Sequence, residues 1–235
     1  MKQIIWYYHV VYMDVMNQKI NIIYEDNHLL VVEKPINIPV QADESHDLDL
    51  LTMLKADLKR RYQKPGNVYL GLVHRLDRPV GGIMVFAKTS KAASRLSEQV
   101  RTHQLKKEYY AVVLGKIEEK GHLEDYLLKN EKKNIVTVHP QGKQAILDFT
   151  RLQYQKDMSL VKIQLKTGRS HQIRVQFSHH GYPLFGDQKY SKQAKPGQQI
   201  ALFSHAITFQ HPTTKEIMHF SLPLTNRYPW SEFSI

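Results

Sequence analysis

Apolar and polar positions alternate in short runs along the first hundred residues. Two β-branched runs, residues 20–24 and 28–33, flank the polar residues 25–27 and predict a β-hairpin. Leucines at spacings of three and four predict an amphipathic helix over residues 47–62. The pattern then predicts strands at 69–73 and 82–88, followed by a helix capped by Ser90 that extends to about Thr102.

The second half of the chain is richer in strand patterns. One helix is predicted there, with Ser170 as its N-cap and with Ile173 and Phe177 as an apolar pair one turn apart. The strand candidates are residues 108–114, 135–138, 145–154, 160–165, 200–203, 206–210 and 216–221. Strands outnumber helices and do not alternate with them, which predicts an α+β fold with a mainly antiparallel mixed sheet flanked by helices.

The N-terminal segment differs from the rest of the chain in its pattern of apolar and polar residues. Residues 1–18 are predicted to be an N-terminal extension, with Met16 as an alternative start, and residues 19–235 a single domain. Residues 1–16 are apolar and aromatic but lack the basic region and the cleavage site of a signal peptide. No run approaches the roughly 20 apolar residues that cross a bilayer, so we expect no membrane insertion.

Composition and charge narrow the class of partner. The 33 lysines and arginines exceed the 22 acidic residues and leave a formal net charge of +11. Such an excess favours a phosphate-rich partner over an anionic membrane surface. The chain has no cysteine, which excludes disulfides, thiol nucleophiles and thiolate metal sites and predicts a cytoplasmic protein.

Common catalytic motifs are absent from the sequence. It contains no phosphate-binding Gly-x-x-x-x-Gly-Lys-Ser/Thr loop, no Gly-x-Gly-x-x-Gly, no Gly-x-Ser-x-Gly and no His-Glu-x-x-His. These absences argue against nucleotide triphosphatases, Rossmann dehydrogenases, serine hydrolases and zinc proteases. The thirteen histidines do not show the spacing of metal ligands, so we expect no metal.

One segment concentrates positive charge. Between Lys162 and Lys195, seven basic residues accompany a single acid, Asp187. A solvated face usually mixes both signs, so this segment favours a groove that follows a phosphate backbone. Interleaved histidines and aromatic residues would suit base stacking as well as core packing.

Asp77 is the candidate reactive group. It lies between Arg75 and Arg78, in a turn followed by Gly81 and Gly82. Neighbouring guanidinium groups favour an ionised carboxylate, and glycine lets a substrate approach the backbone. Such a carboxylate could act as a nucleophile or general base on a nucleic acid. Spacing alone favours the other interpretation, a structural Arg–Asp pair that fixes the turn.

Three ordered motifs decide between these interpretations. They are His74-Arg75-Leu76-Asp77 with Gly82 and Ala87-Lys88-Thr89; Lys107-x-Tyr109-x-Ala111; and Leu165-x-Thr167-Gly168-Arg169-Ser170-His171-Gln172-Ile173-Arg174. A looser match runs from residue 23 to Pro35, and later matches include Gly181-x-Pro183, Gly186-Asp187 and Tyr190. Together the motifs resemble the RluA-type family of RNA pseudouridine synthases from about residue 21 onward. Val80-Gly81 depart from the Thr-Ser that members often place before the glycine.

The resemblance implies a pseudouridine synthase catalytic domain, without the N-terminal helical RNA-binding domain that some members carry. Asp77 would be the catalytic aspartate, acting on a uridine flipped out of its stack. Tyr109 would stack on the uracil, and Arg174 would pair with Asp77. RNA contacts would come from Arg75, Arg78, Lys107, Arg169 and His171. The expected substrate is tRNA or rRNA, and we expect a cytoplasmic monomer with no cofactor.

Two alternatives remain open. A protein that binds or folds RNA could share this fold without turnover, although the presence of Asp77, Tyr109 and Arg174 argues against it. An Asp-dependent nucleic-acid hydrolase is a second alternative. The sequence offers no paired carboxylates or metal ligands for such an enzyme.

Overall fold

Antiparallel strand pairs supply most of the regular structure of this computed structural model, which describes residues 11–15 and 18–234. The described chain divides into two units. The first comprises the described residues up to Gln104 together with Phe209–Phe220. The second comprises Leu105–Thr208 and the described residues from Ser221 onward.

The first unit contains five strands and two helices before residue 105. They are β1 (Val11–Val15), β2 (Gln18–Glu25), β3 (Leu29–Lys34), α1 (Leu50–Arg61), β4 (Gly71–Leu72), β5 (Gly81–Ala87) and α2 (Ser90–Arg101). The strands pair antiparallel in the order β1-β2-β3-β5, and β4 also pairs with β5. Strand β1 lies inside the segment predicted as an N-terminal extension, whereas residues 1–10 fall outside the described part.

The second unit contains a longer antiparallel series. Its elements are β6 (Lys106–Leu114), β7 (Lys120–Asn130), β8 (Ile135–Val138), β9 (Lys143–Gln155), β10 (Met158–Leu165), α3 (Gln172–His179) and most of β11 (Leu202–Gln210). Within this unit the pairing order is β11-β6-β10-β9-β7-β8. The chain closes with β12 (Ile217–Ser221) and a short 3₁₀ helix at Trp230–Glu232.

Side chains at the turns and caps explain where the elements of the first unit begin. The Asp26 carboxylate accepts the backbone N–H groups of His28 and Leu29 at 2.7 and 2.6 Å and so shapes the predicted hairpin. Asp49 caps α1 by accepting the N–H of Thr52 at 3.0 Å. The cap of α2 is Thr89, whose hydroxyl accepts the N–H of Ala92, so the prediction of Ser90 was wrong by one residue.

The start of α3 also differs from the prediction. Its N-cap is His171 in the left-handed conformation (φ 51°), with no capping hydrogen bond from its side chain, and not Ser170. The Gln172 side chain instead holds the preceding loop, because its Oε1 accepts both the Thr167 hydroxyl and the Arg169 N–H. Ile173 and Phe177 are buried, as predicted.

Two strand predictions failed in the second unit. The sequence pattern missed β7, whose inward positions include the buried Asp125 between Leu123 and Leu127, so that the apolar alternation is broken. It also split β11 into two strands. A register shift between Ser204 and Ala206 accommodates the polar residues there, and the strand continues.

The first unit buries Leu29–Val32 of β3 and residues 83–87 of β5, together with Leu50, Leu54 and Leu58 of α1. Leu48 of the predicted leucine stripe precedes the helix and is 40% exposed. In the second unit, Val112, Met158 and Leu160 form a core with Ala201 and Phe233. In the part of the chain that the structure describes, no helix is long and apolar enough to cross a membrane.

Candidate active site residues

Asp77 lies in a short turn that leads into β5. The Val80 N–H donates to the Asp77 carbonyl at 2.9 Å and closes the turn, and the residue remains partly exposed. A Cβ at Gly81 would lie 3.1 Å from the Lys34 carbonyl oxygen, and Gly82 has a φ of 117° that side chains rarely tolerate. The two glycines therefore let the turn pack tightly against the end of β3.

Lys34 holds this turn from inside the protein. It is the last residue of β3 and is only 1% exposed. Its Nζ donates to three carbonyl oxygens: Pro35 at 2.9 Å, Arg78 at 3.0 Å and Val80 at 2.8 Å. Because two of these acceptors lie one and three residues after Asp77, the ammonium group fixes the backbone that carries the carboxylate.

The electrostatics of Lys34 link it to the same turn. Burial lowers the pKa of Lys34 to about 7, the negative charge of Asp77 acts to raise it, and the positive charge of Arg78 lowers it further. A lysine in this position can lose its proton near neutral pH. The sequence analysis matched Lys34 only as part of the hairpin motif and gave it no role. A lysine that ends an apolar strand is the signal that could have identified it.

The other residues of the first motif differ in their exposure to solvent. His74 is buried, and its Nε2 accepts the Val85 N–H at 3.1 Å, which ties the start of the turn to the middle of β5. Arg75 is exposed. Arg78 donates to the Ser45 hydroxyl at 3.0 Å and forms an ion pair with Asp47. The predicted RNA contacts of Arg75 and Arg78 stay predictions.

Two residues of the second motif share one face of β6. Lys107 lies opposite Leu165 of β10, and Tyr109 lies opposite Ile163. A Cβ at Gly168 would lie 3.0 Å from Lys107 Nζ, so the lysine reaches the loop that follows β10. Burial lowers the pKa of Lys107, and the Tyr109 side chain is buried. The structure thus brings Lys107 to the loop that carries Arg169.

The loop between β10 and α3 is anchored by its own polar side chains. Arg169 Nε donates to the Gln144 carbonyl at 2.9 Å, which holds this exposed residue against β9. His171 Nδ1 lies 2.6 Å from the Tyr190 hydroxyl, which also accepts the Val136 N–H. These contacts give Arg169 and His171 structural roles, and their predicted RNA contacts remain untested.

Arg174 forms a buried, two-pronged ion pair with Asp187. Its Nε and Nη2 lie 2.8 and 2.7 Å from the two carboxylate oxygens, with the side chains 7% and 0% exposed. The guanidinium also lies 5.2 Å from the centre of the Tyr190 ring. Gly186 makes this possible: its φ is 71°, and a Cβ there would lie 2.2 Å from the Gln199 carbonyl oxygen.

The sequence analysis quoted Asp187 as part of a motif but did not identify it as the partner of Arg174. The predicted pairing of Arg174 with Asp77 stays a prediction.

The positive charge of the segment between Lys162 and Lys195 is partly balanced by acidic residues that lie outside this segment. Lys162 pairs with Glu108 at 2.6 Å and Lys166 with Asp148 at 2.9 Å. Their acidic partners come from neighbouring strands, which a linear count of charges cannot show.

The described residues were also compared with the requirements of a metal site. Among the described residues, no group of three or more histidine or acidic side chains is placed to hold a metal ion.

Comparison with known proteins tests the resemblance. A family model described as "RNA pseudouridylate synthase" matches residues 28–179. Ribosomal large subunit pseudouridine synthase C of Vibrio parahaemolyticus is 35% identical over 214 residues, covering 88% of this chain and 66% of the relative. Ribosomal large subunit pseudouridine synthase D of Haemophilus influenzae is 30% identical over 230 residues, covering 90% and 69%. The chain thus spans about two thirds of the length of these relatives.

Solved structures agree on the fold. Human RNA Pseudouridylate Synthase Domain Containing 4 gives a TM-score of 0.73 at 22% identity, covering 87% of this chain and 88% of its own. Human RNA Pseudouridylate Synthase Domain Containing 1 gives 0.70 at 23% identity, covering 87% and 83%. The predicted α+β fold is therefore confirmed. On the family match and these relatives, the chain belongs to the RluA-type family of RNA pseudouridine synthases, which are isomerases.

Proposed function

We propose that this protein isomerises uridine to pseudouridine in RNA by a mechanism that depends on Asp77. The observation that carries the proposal is the Asp77 turn, in which a partly exposed carboxylate stands on backbone held by the buried Lys34 ammonium. Fixing a reactive group before the substrate arrives lowers the cost of reaching the transition state.

The proposed reaction rearranges bonds within one nucleoside. The N1–C1′ bond breaks, the uracil rotates, and a C5–C1′ bond forms. C5 then loses its proton and N1 gains one, so no cofactor is consumed. Asp77 would act on the ribose, either by attack at C1′ or by removal of a ribose proton. Because stacked bases shield these atoms, the uridine must first be flipped out, at a cost of a few kcal/mol.

Tyr109 and Arg174 would complete the chemistry. The Tyr109 ring would stack on the flipped uracil, and its hydroxyl could assist the loss of the C5 proton. Arg174 would keep the Asp77 carboxylate ionised and oriented. Its pairing with Asp187 is compatible with this role, because a guanidinium has five N–H donors and the Asp187 pair occupies two of the nitrogens.

The preferred substrate is large-subunit rRNA, with tRNA as the second choice. The relatives named for the ribosomal large subunit support this order. The basic excess of the chain suits any RNA. The logarithm of RNA affinity should fall steeply with the logarithm of salt concentration, because lysine and arginine contacts to phosphate release counterions. A flat plot would contradict a phosphate-binding groove.

The test is tritium release from RNA labelled at uridine C5. Wild-type protein should release tritium from a large-subunit rRNA transcript, and Asp77→Asn should release none while still binding the RNA. Glu98→Gln, which alters an exposed carboxylate on α2 of the same unit, is the matched control and should retain release. Tyr109→Phe keeps the ring for stacking but removes the hydroxyl. It therefore tests whether the hydroxyl takes part in proton transfer.

Other outcomes identify the alternatives. Binding without tritium release from rRNA or tRNA would show a non-catalytic RNA-binding protein. Shortened RNA or free uracil among the products would show a hydrolase.

A further inference from the structure

A small open cavity lies in the first unit, away from the Asp77 turn. It has a volume of about 220 Å³, and Tyr62, Lys64, Tyr69 and Lys88 contribute to its walls. Gly71, two residues after Tyr69, pairs with Ala87 at the end of β5, whereas the Asp77 turn precedes Gly81 at the start of that strand. Six residues of strand span about 20 Å. The cavity is thus separate from the proposed catalytic carboxylate.

Two tyrosines expose large parts of their surface here. Tyr62 is 50% exposed and Tyr69 is 49% exposed. A Cβ at Gly71 would lie 2.9 Å from the Tyr69 hydroxyl, so the absence of a side chain there makes room for the tyrosine to lie along the strand. Aromatic rings that are half exposed to solvent provide stacking surfaces for bases.

The Tyr62 ring is held in place by charged neighbours. Its hydroxyl donates to Glu25 Oε1 at 2.8 Å, and Glu25 also pairs with Lys88 at 2.6 Å and Arg61 at 2.8 Å. Burial alone would raise the pKa of Glu25, but the hydrogen bonds from Lys88, Arg61 and Tyr62 outweigh it, so the pKa is lowered and the carboxylate stays charged. The ring is therefore oriented before any ligand arrives.

The surroundings of the rings are positive. Lys88 Nζ lies 4.9 Å and Lys64 Nζ 5.9 Å from the centre of the Tyr62 ring. Between residues 55 and 69 the chain carries five basic residues and one acid, the buried Asp57, which pairs with Arg60 and Arg61. The exposed charge of this segment is thus entirely positive, which complements a phosphate backbone.

We propose that this cavity is a second RNA contact, which binds one unpaired nucleotide of the substrate outside the target uridine. Its base stacks on the exposed rings of Tyr62 and Tyr69, and an adjacent phosphate lies at Lys64. The cavity is smaller than the 300 Å³ or more of typical small-molecule pockets, which fits a base that enters it while the sugar and phosphate stay outside. The inference rests on the proposed function only in taking RNA as the substrate.

The test measures binding of a fluorescein-labelled, 16-nucleotide single-stranded RNA by anisotropy. The double variant Tyr62→Ala/Tyr69→Ala should raise Kd about tenfold, because each stacked base contributes measurably to affinity. Tyr62→Phe keeps the ring and should stay within twofold of wild type. Tyr154→Ala is the matched control, since Tyr154 is an exposed tyrosine in the second unit that also lies near a lysine, Lys116.

A second readout does not depend on the stability of the alanine variants. The same RNA carrying 4-thiouridine should cross-link on irradiation to wild-type peptides that contain Tyr62 or Tyr69. Lys64→Glu should weaken binding and flatten its salt dependence. With the rRNA transcript as substrate, the double variant should mainly raise KM and change kcat little.

The outcomes of these experiments distinguish failure of the second RNA contact from failure of the proposed function. An unchanged Kd for the double variant, with cross-links only elsewhere, would overturn the inference. So would tyrosine-dependent binding of an acidic peptide such as dodeca-glutamate without any effect on RNA. If wild type releases no tritium but the tyrosines still govern RNA binding, the proposed function fails and this contact stands. If tritium is released normally and the tyrosines have no effect, only this contact fails.

Discussion

Lys34 in the first unit and Arg174 in the second are both buried cations, but their charges are compensated differently. Lys34 donates to three uncharged carbonyl oxygens, whereas Arg174 is bound at two points by the Asp187 carboxylate. Burial lowers the pKa of Lys34 to about 7, so this lysine can lose its proton near neutral pH. A guanidinium keeps its proton throughout. The first cation should therefore respond to pH, and the second should depend on its carboxylate.

Removing that carboxylate should have the largest effect. Asp187→Asn leaves a buried guanidinium without its counter-charge, which costs about 3–5 kcal/mol. Urea unfolding should show this loss. Asp148→Asn removes the exposed contacts with Lys166 and His122 and should cost about 1 kcal/mol or less. Similar losses in both variants would contradict the distinction between buried and exposed pairs.

Lys34→Met should lower both the stability of the protein and its turnover. The variant leaves three carbonyl groups without their donor but also removes a buried charge, so the net loss of unfolding free energy is about 1–3 kcal/mol. Freed from its anchor, the Asp77 turn should lose at least about tenfold in kcat, equivalent to about 1.4 kcal/mol. Unchanged tritium release at a normal rate would show that Lys34 does not position the turn.

The stability contribution of Lys34 should depend on pH. Between the folded pKa of about 7 and an unfolded value of about 10.4, the unfolded state binds one more proton than the native state. Stability therefore rises with pH in this window, by on the order of 1 kcal/mol per unit, and levels off below pH 7. The unfolding free energy of wild type minus that of Lys34→Met should show this slope from pH 7 to 9. A flat difference would mean that Lys34 keeps its proton.

His74→Leu should have the smallest of these effects. The substitution removes the acceptor of the buried Val85 N–H, which costs about 1–2 kcal/mol. Thermal unfolding measures the loss, and His179→Leu, at an exposed position in the last turn of α3, provides the comparison. Equal melting temperatures for His74→Leu and wild type would show that this hydrogen bond adds no stability to the Asp77 turn.

The sequence predictions succeeded where an element depends on contacts between residues close together in the chain, and failed where it depends on distant ones. The hairpin around Asp26 and the helices α1 and α2 depend on periodicity and on caps within three residues, and all three were predicted to within a few positions. Strand β7 was missed because its buried Asp125 is stabilised by Gln176, 51 residues later in the chain. A local pattern cannot anticipate that partner.

The sequence by itself determined the family, the α+β class and the candidate residues Asp77, Tyr109 and Arg174, because motif spacing and periodicity are properties of the chain. Only the tertiary structure decided which groups hold those residues in place. Lys34 reaches the Asp77 turn across more than 40 residues, and the carboxylates that neutralise Lys162 and Lys166 come from other strands. Hydrogen bonds and charge pairs act over a few ångströms in space, and only folding brings distant positions within that distance.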